Sequence, residues 1–306
     1  MMNRRKFIEA GSLGLVLASN LFAQNEPQNS QPNKELRAKD VNVYLRSLEE
    51  VYEPSVDKII IGDPETVVKK IGTCWMPYWD TCKKAVSQGV NLLVVHEPTF
   101  YTHWDLDLEK DHLKNTLCLS DYTKLREEKS KWIIDNGLVI IRCHDVLDKI
   151  KGFGIPFALG KALGFEDSDI IRFKSYYNVY KTPQKTAIEV AKGIASKLKA
   201  YGQPGLAFYG HDDYPVSSVG VGTGCFCDPM EYGQLKPDMF IAINDSVNTW
   251  VQTTYAQDTG QPLLVIDHGS AEDPGMQALN AHLKKVFSDR EVIHYGPGCS
   301  FKWVNA

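Results

Sequence analysis

The stretch LLVVHEPTFYTH, Leu92 to His103, runs four apolar residues into a histidine and a glutamate, then a proline and two aromatics. Leu92–Val95, with β-branched members and turn formers on either side, predicts a short strand buried on both faces. His96 and Glu97 then stand at its carboxyl end. In open α/β sheets ligands bind at that end, because the loops leaving the strands form the crevice. Two readings are open for the pair taken alone: a hydrogen-bonded core histidine beside a surface glutamate, or two metal ligands that need further ligands from elsewhere in the chain.

Working outward, VDKIIIGD frames a strand over 57–63 and KKIGTCWM gives the next. YWDTCKKAVSQG spaces Trp79, Cys82, Ala85 and Val86 at helical intervals and stops at Gly89. Strand, helix, strand is the order of a parallel crossover unit. A helix is expected over 39–51 and a helix-rich stretch over 106–136. LVIIRCHDVLD then repeats the opening pattern, an apolar strand over 138–141 ending in His144, Asp145 and Asp148. Beyond it come the glycine-bounded helix GFGIPFALGKALGF, the segment RFKSYYNVYKTP, the helix AIEVAKGIASKL and the strand GLAFYG. VSSVGVGTGCF reads as a strand entering a glycine-rich turn, PDMFIAI as a strand, GMQALNAHLKKVF as an amphipathic helix and EVIHYG as a terminal strand.

PLLVIDHGSAEDPGMQAL gives the pattern a third time, with Asp267 and His268 at a strand end and Glu272 four residues after His268. If a helix begins there, His268 and Glu272 share one face and can reach one cation. The alternative is a helix N-terminal cap, with Glu272 favoured by the helix dipole. Histidine with carboxylate suits Zn, Mn, Fe or Ni better than Ca, which prefers oxygen alone. Three strand ends carrying His with Asp or Glu point to a dinuclear centre, with divalent ions roughly 3.5 to 4 Å apart as in two-metal hydrolases. His103 and His211 are left over and are assigned to the surface.

These blocks together resemble the Nif-three-like family, also known as type 2 GTP cyclohydrolase I or dinuclear metal-centre hexameric proteins. The resemblance runs from about Val56 to Phe287. IIIGDPETVVKKIGTCWMPYWDTCKKAVSQGVNLLVVHEPTFY is similar to the family's first block, which carries two adjacent histidines where this chain has His96 and Glu97. RCHDVLDKIKGFGIPFALGKALGF is similar to the second, VGTGCFCD to its glycine-rich turn and VIDHGSAEDPGMQAL to the last. The resemblance implies an α/β fold of two related halves with mixed sheets flanked by helices. It implies two divalent metal ions held by His96, Asp148, His268 and Glu272, with Glu97 in place of the second histidine and favouring harder ions. His144 is expected to orient Asp148 or a bound water. A homohexamer is implied as well, without the inserted middle domain of larger members, since the run over 176–219 is too short for it. The activity expected is hydrolysis of a small-molecule or nucleotide substrate. The alternative is a non-catalytic metal-binding or scaffold protein of the same fold.

At 306 residues and 43% hydrophobic, the chain can bury a full core. Its formal charge of -4 gives no basic surface for nucleic acid. A serine elbow, a phosphate-binding loop and a dinucleotide fingerprint are all missing from the sequence. Seven cysteines at irregular spacing do not make a disulfide scaffold. Cys225 and Cys227 read as turn or core residues, and one disulfide at most is expected.

The amino terminus stands apart. Arg4 and Arg5 precede a short apolar segment, Ala10 to Leu17, with Ala23 as a cleavage residue. That segment falls short of the roughly 20 residues needed to span about 30 Å of hydrocarbon, so it is no membrane anchor. Residues 1–23 resemble a twin-arginine export signal, with Asn3 and Leu21 as departures. Its removal takes Arg4, Arg5 and Lys6 against Glu9 alone, leaving the mature chain more acidic. Residues 24–38 are expected to form a flexible linker, 39–306 the folded domain, and the destination is the periplasm or the exterior. Replacing Arg4 and Arg5 by lysine should leave the uncleaved precursor in the cytoplasm, as read by fractionation. Undiminished export of that variant would contradict the assignment.

Overall fold

The computed structural model describes residues 35–107, 119–174, 176–224 and 227–304, and the folding unit that carries the elements is Leu36–Ala306. The export segment and most of the expected linker lie outside the described residues. Its last residues, 35–38, are described. Arg37 bridges Val67, and Asp40 accepts from the Arg37 amide at 3.0 Å to open the helix Ala38–Arg46. That helix stops short of Val51 because Ser47 Oγ donates to Tyr44 O at 2.7 Å and Arg46 Nη1 to Asp57 O at 2.6 Å, closing its end.

The first sheet contains β1 (Ile59–Ile61), β2 (Lys70–Cys74), β3 (Leu92–Val95) and β4 (Val139–Arg142). Its order is β1, β4, β3, β2 and then the last strand of the chain, β11 (Glu291–Tyr295). β4, β3, β2 and β11 run parallel and β1 antiparallel. All four residues of β3 and of β4 are buried, as a continuous apolar run covered on both faces requires. The covering helices include Trp79–Ser87 and Leu119–Asp135; residues 108–118 of the expected helix-rich stretch lie outside the described residues.

The second sheet contains β5 (Ile170–Lys174), β6 (Tyr177–Thr186), β7 (Ala207–Tyr209), β8 (Pro215–Val221), β9 (Met239–Ile243) and β10 (Leu263–Ile266). Its order is β5, β6, β8, β9, β10, β7, with β8, β9 and β10 parallel and the outer pairings antiparallel. Two mixed sheets with helices on their faces are what the resemblance implied.

One helix ties the two together. His268–Val286 leaves β10 with Asp267 as its N-cap, accepting from Ser270 N at 3.0 Å. Ala271 packs into the core of the second sheet, whereas Met276, Leu279 and Leu283 pack into that of the first. The chain then enters β11, which pairs with β2. The parallel strands of both sheets thus deliver their carboxyl ends to the start of this helix. Among the described residues no helix is long and apolar enough to cross a membrane. Cys74, Cys82, Cys143, Cys227 and Cys299 are free, and Cys118 and Cys225 lie outside the described residues.

Leu279 is fully buried where the helix meets the first sheet. Leu279→Ala should cost about 2–5 kcal/mol in denaturant unfolding, since it leaves a cavity that packing fills only partly. Val286→Ala, at the exposed helix end, should change stability by less than about 0.5 kcal/mol.

Candidate metal centre

At the end of β3 the chain turns on Trp75. Its carbonyl accepts both the His96 and the Glu97 amides, at 3.1 and 2.9 Å, so the two side chains leave a rigid strand in fixed directions. His96 Nδ1 lies 3.2 Å from Cys143 O, across the pairing of β3 with β4. A carbonyl can only accept, so Nδ1 carries the proton of the neutral ring and Nε2 keeps its lone pair.

β4 contributes the next group. Asp57 accepts the His144 amide and, at 2.8 Å, the Val146 amide, which sets the short helix Asp145–Lys149 on the strand end. His144 Nδ1 pairs with Asp145 Oδ1 at 2.8 Å, and Asp145 is held in turn by Ser55 Oγ at 2.8 Å. Asp148, one turn along, accepts from Thr223 Oγ1 at 2.8 Å. The His144 and His96 rings stack with centroids 4.5 Å apart.

The second sheet supplies the rest. Asn244 Oδ1, after β9, accepts the His268 amide at 3.0 Å, and Asp245 Oδ2 takes His268 Nδ1 at 2.8 Å. Glu272 follows one helical turn later, with Trp75 Nε1 donating to its Oε2 at 2.8 Å. That oxygen lies 3.2 Å from His96 Nε2 and 3.1 Å from His268 Nε2, while Glu97 Oε1 lies 3.3 Å from His268 Nε2 and Asp148 Oδ1 3.6 Å from His96 Nε2. All three histidines therefore have Nδ1 engaged, and His96 Nε2 and His268 Nε2 are buried without a hydrogen bond of acceptable geometry. A histidine fixed through one nitrogen and offering the other is the arrangement of metal ligands. Donor atoms of His96, His144 and Asp148, and of His96, Glu97 and Glu272, form two groups each within 4.8 Å, sharing His96.

The glycine-rich turn after β8 passes directly over these groups. Gly224 has φ +41°, and a Cβ there would stand 2.8 Å from Glu272 Oε1 and 3.3 Å from His268 Nε2. Only glycine lets the backbone come so close. Beside the turn opens a cavity of about 560 Å³, lined by the donor groups together with Tyr52, Trp104, Tyr176 and Lys149.

The charges within the cluster are strongly interdependent. Burial opposes a charge on His96, but Glu272, Asp148 and Glu97 outweigh it and raise its pKa to about 10. The same balance, led by Glu272 and Asp245, lifts His268 well above the usual range. Against burial, His268 and His96 hold Glu272 well below the carboxylate range. Burial raises Asp148 to about 6, with His144 and His96 opposing. In the metal-free chain the His96 proton thus stabilises the fold fully below the unfolded pKa of about 6.5, and that contribution is lost as pH rises through about 10.

The structure brings His96, Glu97, Asp148, His268 and Glu272 into this one cluster from three separate strand ends, together with His144. His144 gives its Nδ1 to Asp145, with Asp148 Oδ2 further off at 3.8 Å, so Asp148 is oriented by Thr223 instead. His103 is exposed as expected, yet it stands at the cavity wall with its ring 5.6 Å from that of His144. His211 is exposed and remote from the cluster, against Gly260. Sequence reading missed Asp245, Trp75, Thr223 and Arg142. Asp245 alone had a visible signal, a carboxylate just past the apolar strand PDMFIAI.

Fold and site together define a class: two-sheet α/β proteins with a buried imidazole and carboxylate cluster where the parallel strands of both sheets end. Within it, the chain belongs to the Duf34/NIF3 (NGG1p interacting factor 3) family, whose model matches residues 55–295. It is 24% identical over 238 residues to a GTP cyclohydrolase 1 type 2 homolog of Chlamydia muridarum, covering 76% of this chain and 86% of that one. A protein of the same name from Chlamydia pneumoniae is 23% identical over 230 residues, covering 74% and 84%. Among solved structures, the Bacillus cereus protein related to NIF3 superposes with a TM-score of 0.69 at 13% identity, over 90% of this chain and 100% of that one. A Staphylococcus aureus hypothetical protein gives 0.68 at 17% identity, over 89% and 100%. At these identities the structures speak for the fold alone.

Gly224→Ala should disturb the cluster without unfolding the chain. Its Cβ would press on Glu272 at a backbone angle that alanine adopts reluctantly. Metal affinity, measured by chelator competition, should fall about 10-fold or more, and the same strain should lower the stability of the metal-free protein by about 1 kcal/mol while unfolding stays cooperative.

Proposed function

We propose that the cluster holds two divalent transition-metal ions and that the protein is a metal-dependent hydrolase of a small-molecule substrate. The observation that carries this is the pair of buried Nε2 atoms on His96 and His268, aimed at carboxylate oxygens without hydrogen-bond geometry. These nitrogens face the carboxylates of Glu272, Glu97 and Asp148 at 3.1 to 3.6 Å, a converging donor set that a cation could hold in place of the imidazole protons. His96, Glu97, His144, Asp148, His268 and Glu272 would hold the ions. Held by these residues, divalent ions would supply Lewis acidity for activating water and polarising an electrophilic group of a substrate.

The chain's own residues do the positioning. Cys143 O, Asp145 and Asp245 fix the three imidazole tautomers, while Trp75 and Thr223 fix the carboxylates of Glu272 and Asp148. The cavity beside them is large enough for a small organic molecule. At its wall the partial desolvation of the His103 ring, with Arg142 and His144 nearby, lowers its pKa to about 4, so the ring is neutral and only a weak base at physiological pH. The names of the Chlamydia relatives make GTP the first substrate to try. The family resemblance extends the proposal to a homohexamer, and Arg4 with Arg5 extends it to export.

Purified protein should carry up to two divalent ions per chain by elemental analysis. Asp148→Ala and His268→Ala should each lose at least one ion, and His211→Ala none. A substrate library that includes GTP should show turnover that disappears with the metal and returns on its addition. Full metal retention by both alanine variants would overturn the shared site. Metal-bound protein that turned over nothing would favour a binding or scaffold role.

A further inference from the structure

Arg142 is the largest fully buried side chain among the described residues, and it belongs to neither the cavity lining nor the candidate ligands. It ends β4 in register with Val95, the residue before His96. A guanidinium removed from water in a core has to be paired and hydrogen-bonded, and this one is. Nε donates to His96 O at 2.9 Å and Nη1 to His103 O at 2.5 Å, which grips both ends of the segment leaving β3. Nη1 also reaches Asp105 Oδ2 at 3.4 Å, and Nη2 reaches Glu97 Oε2 at 3.4 Å. Asp105 is itself fixed, accepting from the Thr99 and Phe100 amides at 2.6 and 3.1 Å.

The consequence falls on Glu97, whose two oxygens have different neighbours. Oε2 is held by Arg142, whereas Oε1 faces His268 Nε2 at 3.3 Å and His144 Nε2 at 4.0 Å. We propose that Arg142 is a positioning residue of the metal centre, one that takes one oxygen of Glu97 and presents the other to the cluster as a single-oxygen ligand. It also offsets one carboxylate charge in a cluster that already holds Asp148 and Glu272. The planar fork, with five donors on three separated nitrogens, reaches four acceptors here, the two carbonyls, Asp105 and Glu97, whereas a lysine has three donors on a single nitrogen. The proposal rests on the cluster binding metal.

The test uses the full mature chain loaded with Co(II), read by elemental analysis, chelator competition and visible absorption, which reports the ligand set. Arg142→Met should weaken Co(II) binding about 10 to 100-fold and change the absorption spectrum. Arg142→Met combined with Glu97→Gln should be no weaker than Glu97→Gln alone, because the charge that Arg142 governs is then already gone. Arg142→Lys should fall between Arg142→Met and the parent chain. If Arg142→Met does not fold, Arg142→Lys with and without Glu97→Gln makes the same comparison. Unchanged affinity and spectrum in the Arg142 variants, or losses that add in full to those of Glu97→Gln, would overturn the proposal. A parent chain that bound no Co(II) would instead overturn the metal-centre reading, and this proposal with it.

Discussion

The carboxylate of Glu272 is fully buried between two imidazoles and an indole, and the rest of the site is arranged around that fact. A buried carboxylate is tolerated only with compensating charge and hydrogen bonds. His96 and His268 supply the first and Trp75 part of the second. Each of these partners comes from a different strand end, so the requirement to satisfy one oxygen draws β2, β3 and β10 to a single place. The helix His268–Val286 meets that requirement because it starts in one hydrophobic core and ends in the other. In the metal-free chain protons on the imidazoles balance the cluster, which makes proton and metal competitors for the same atoms.

The cluster is also stiff. Every candidate ligand is held by a second group that the folded chain supplies: Cys143 O behind His96, Asp145 behind His144, Thr223 behind Asp148, Asp245 behind His268, Trp75 behind Glu272 and Arg142 behind Glu97. Most of these supports sit at strand ends or directly after them, where backbone pairing fixes their position. Ligands set this way lose little freedom on binding, which is how a rigid scaffold serves a site. The close pass of Gly224 belongs to the same design, since it closes the cluster from above without a side chain.

Much of this was legible in the sequence because it is local. Leu92–Val95 is a strand with the bounds that its apolar run suggested, and the His-with-carboxylate pattern after three such runs marked the candidate ligands. The spacing of His268 and Glu272 was meaningful only if a helix began at His268, and it does. What could not be read depends on distant pairing. Nothing in EVIHYG says that it will lie beside KIGTC, yet β11 pairs with β2 and fixes where the last helix ends. Arg142 looked like an ordinary strand residue, because its burial follows from Glu97 and Asp105 reaching it across the sheet. Trp75 was unremarked for a related reason, since its indole meets Glu272, 197 positions further along the chain. The end of the first helix escaped because hydrogen bonds of the Ser47 and Arg46 side chains close it.

In the metal-free chain protons hold the place that we propose metal ions take. His96, raised to about 10, keeps its ring proton at neutral pH in the metal-free chain, and a metal bound at Nε2 has to displace it. The direct measurement is calorimetric titration of the metal-free protein with Zn(II) at pH 7 in buffers of differing ionisation enthalpy, which counts protons released per ion bound. At least one proton should be released per chain, with apparent affinity rising as pH is raised. Tight binding with no proton released, or no binding at all, would contradict it.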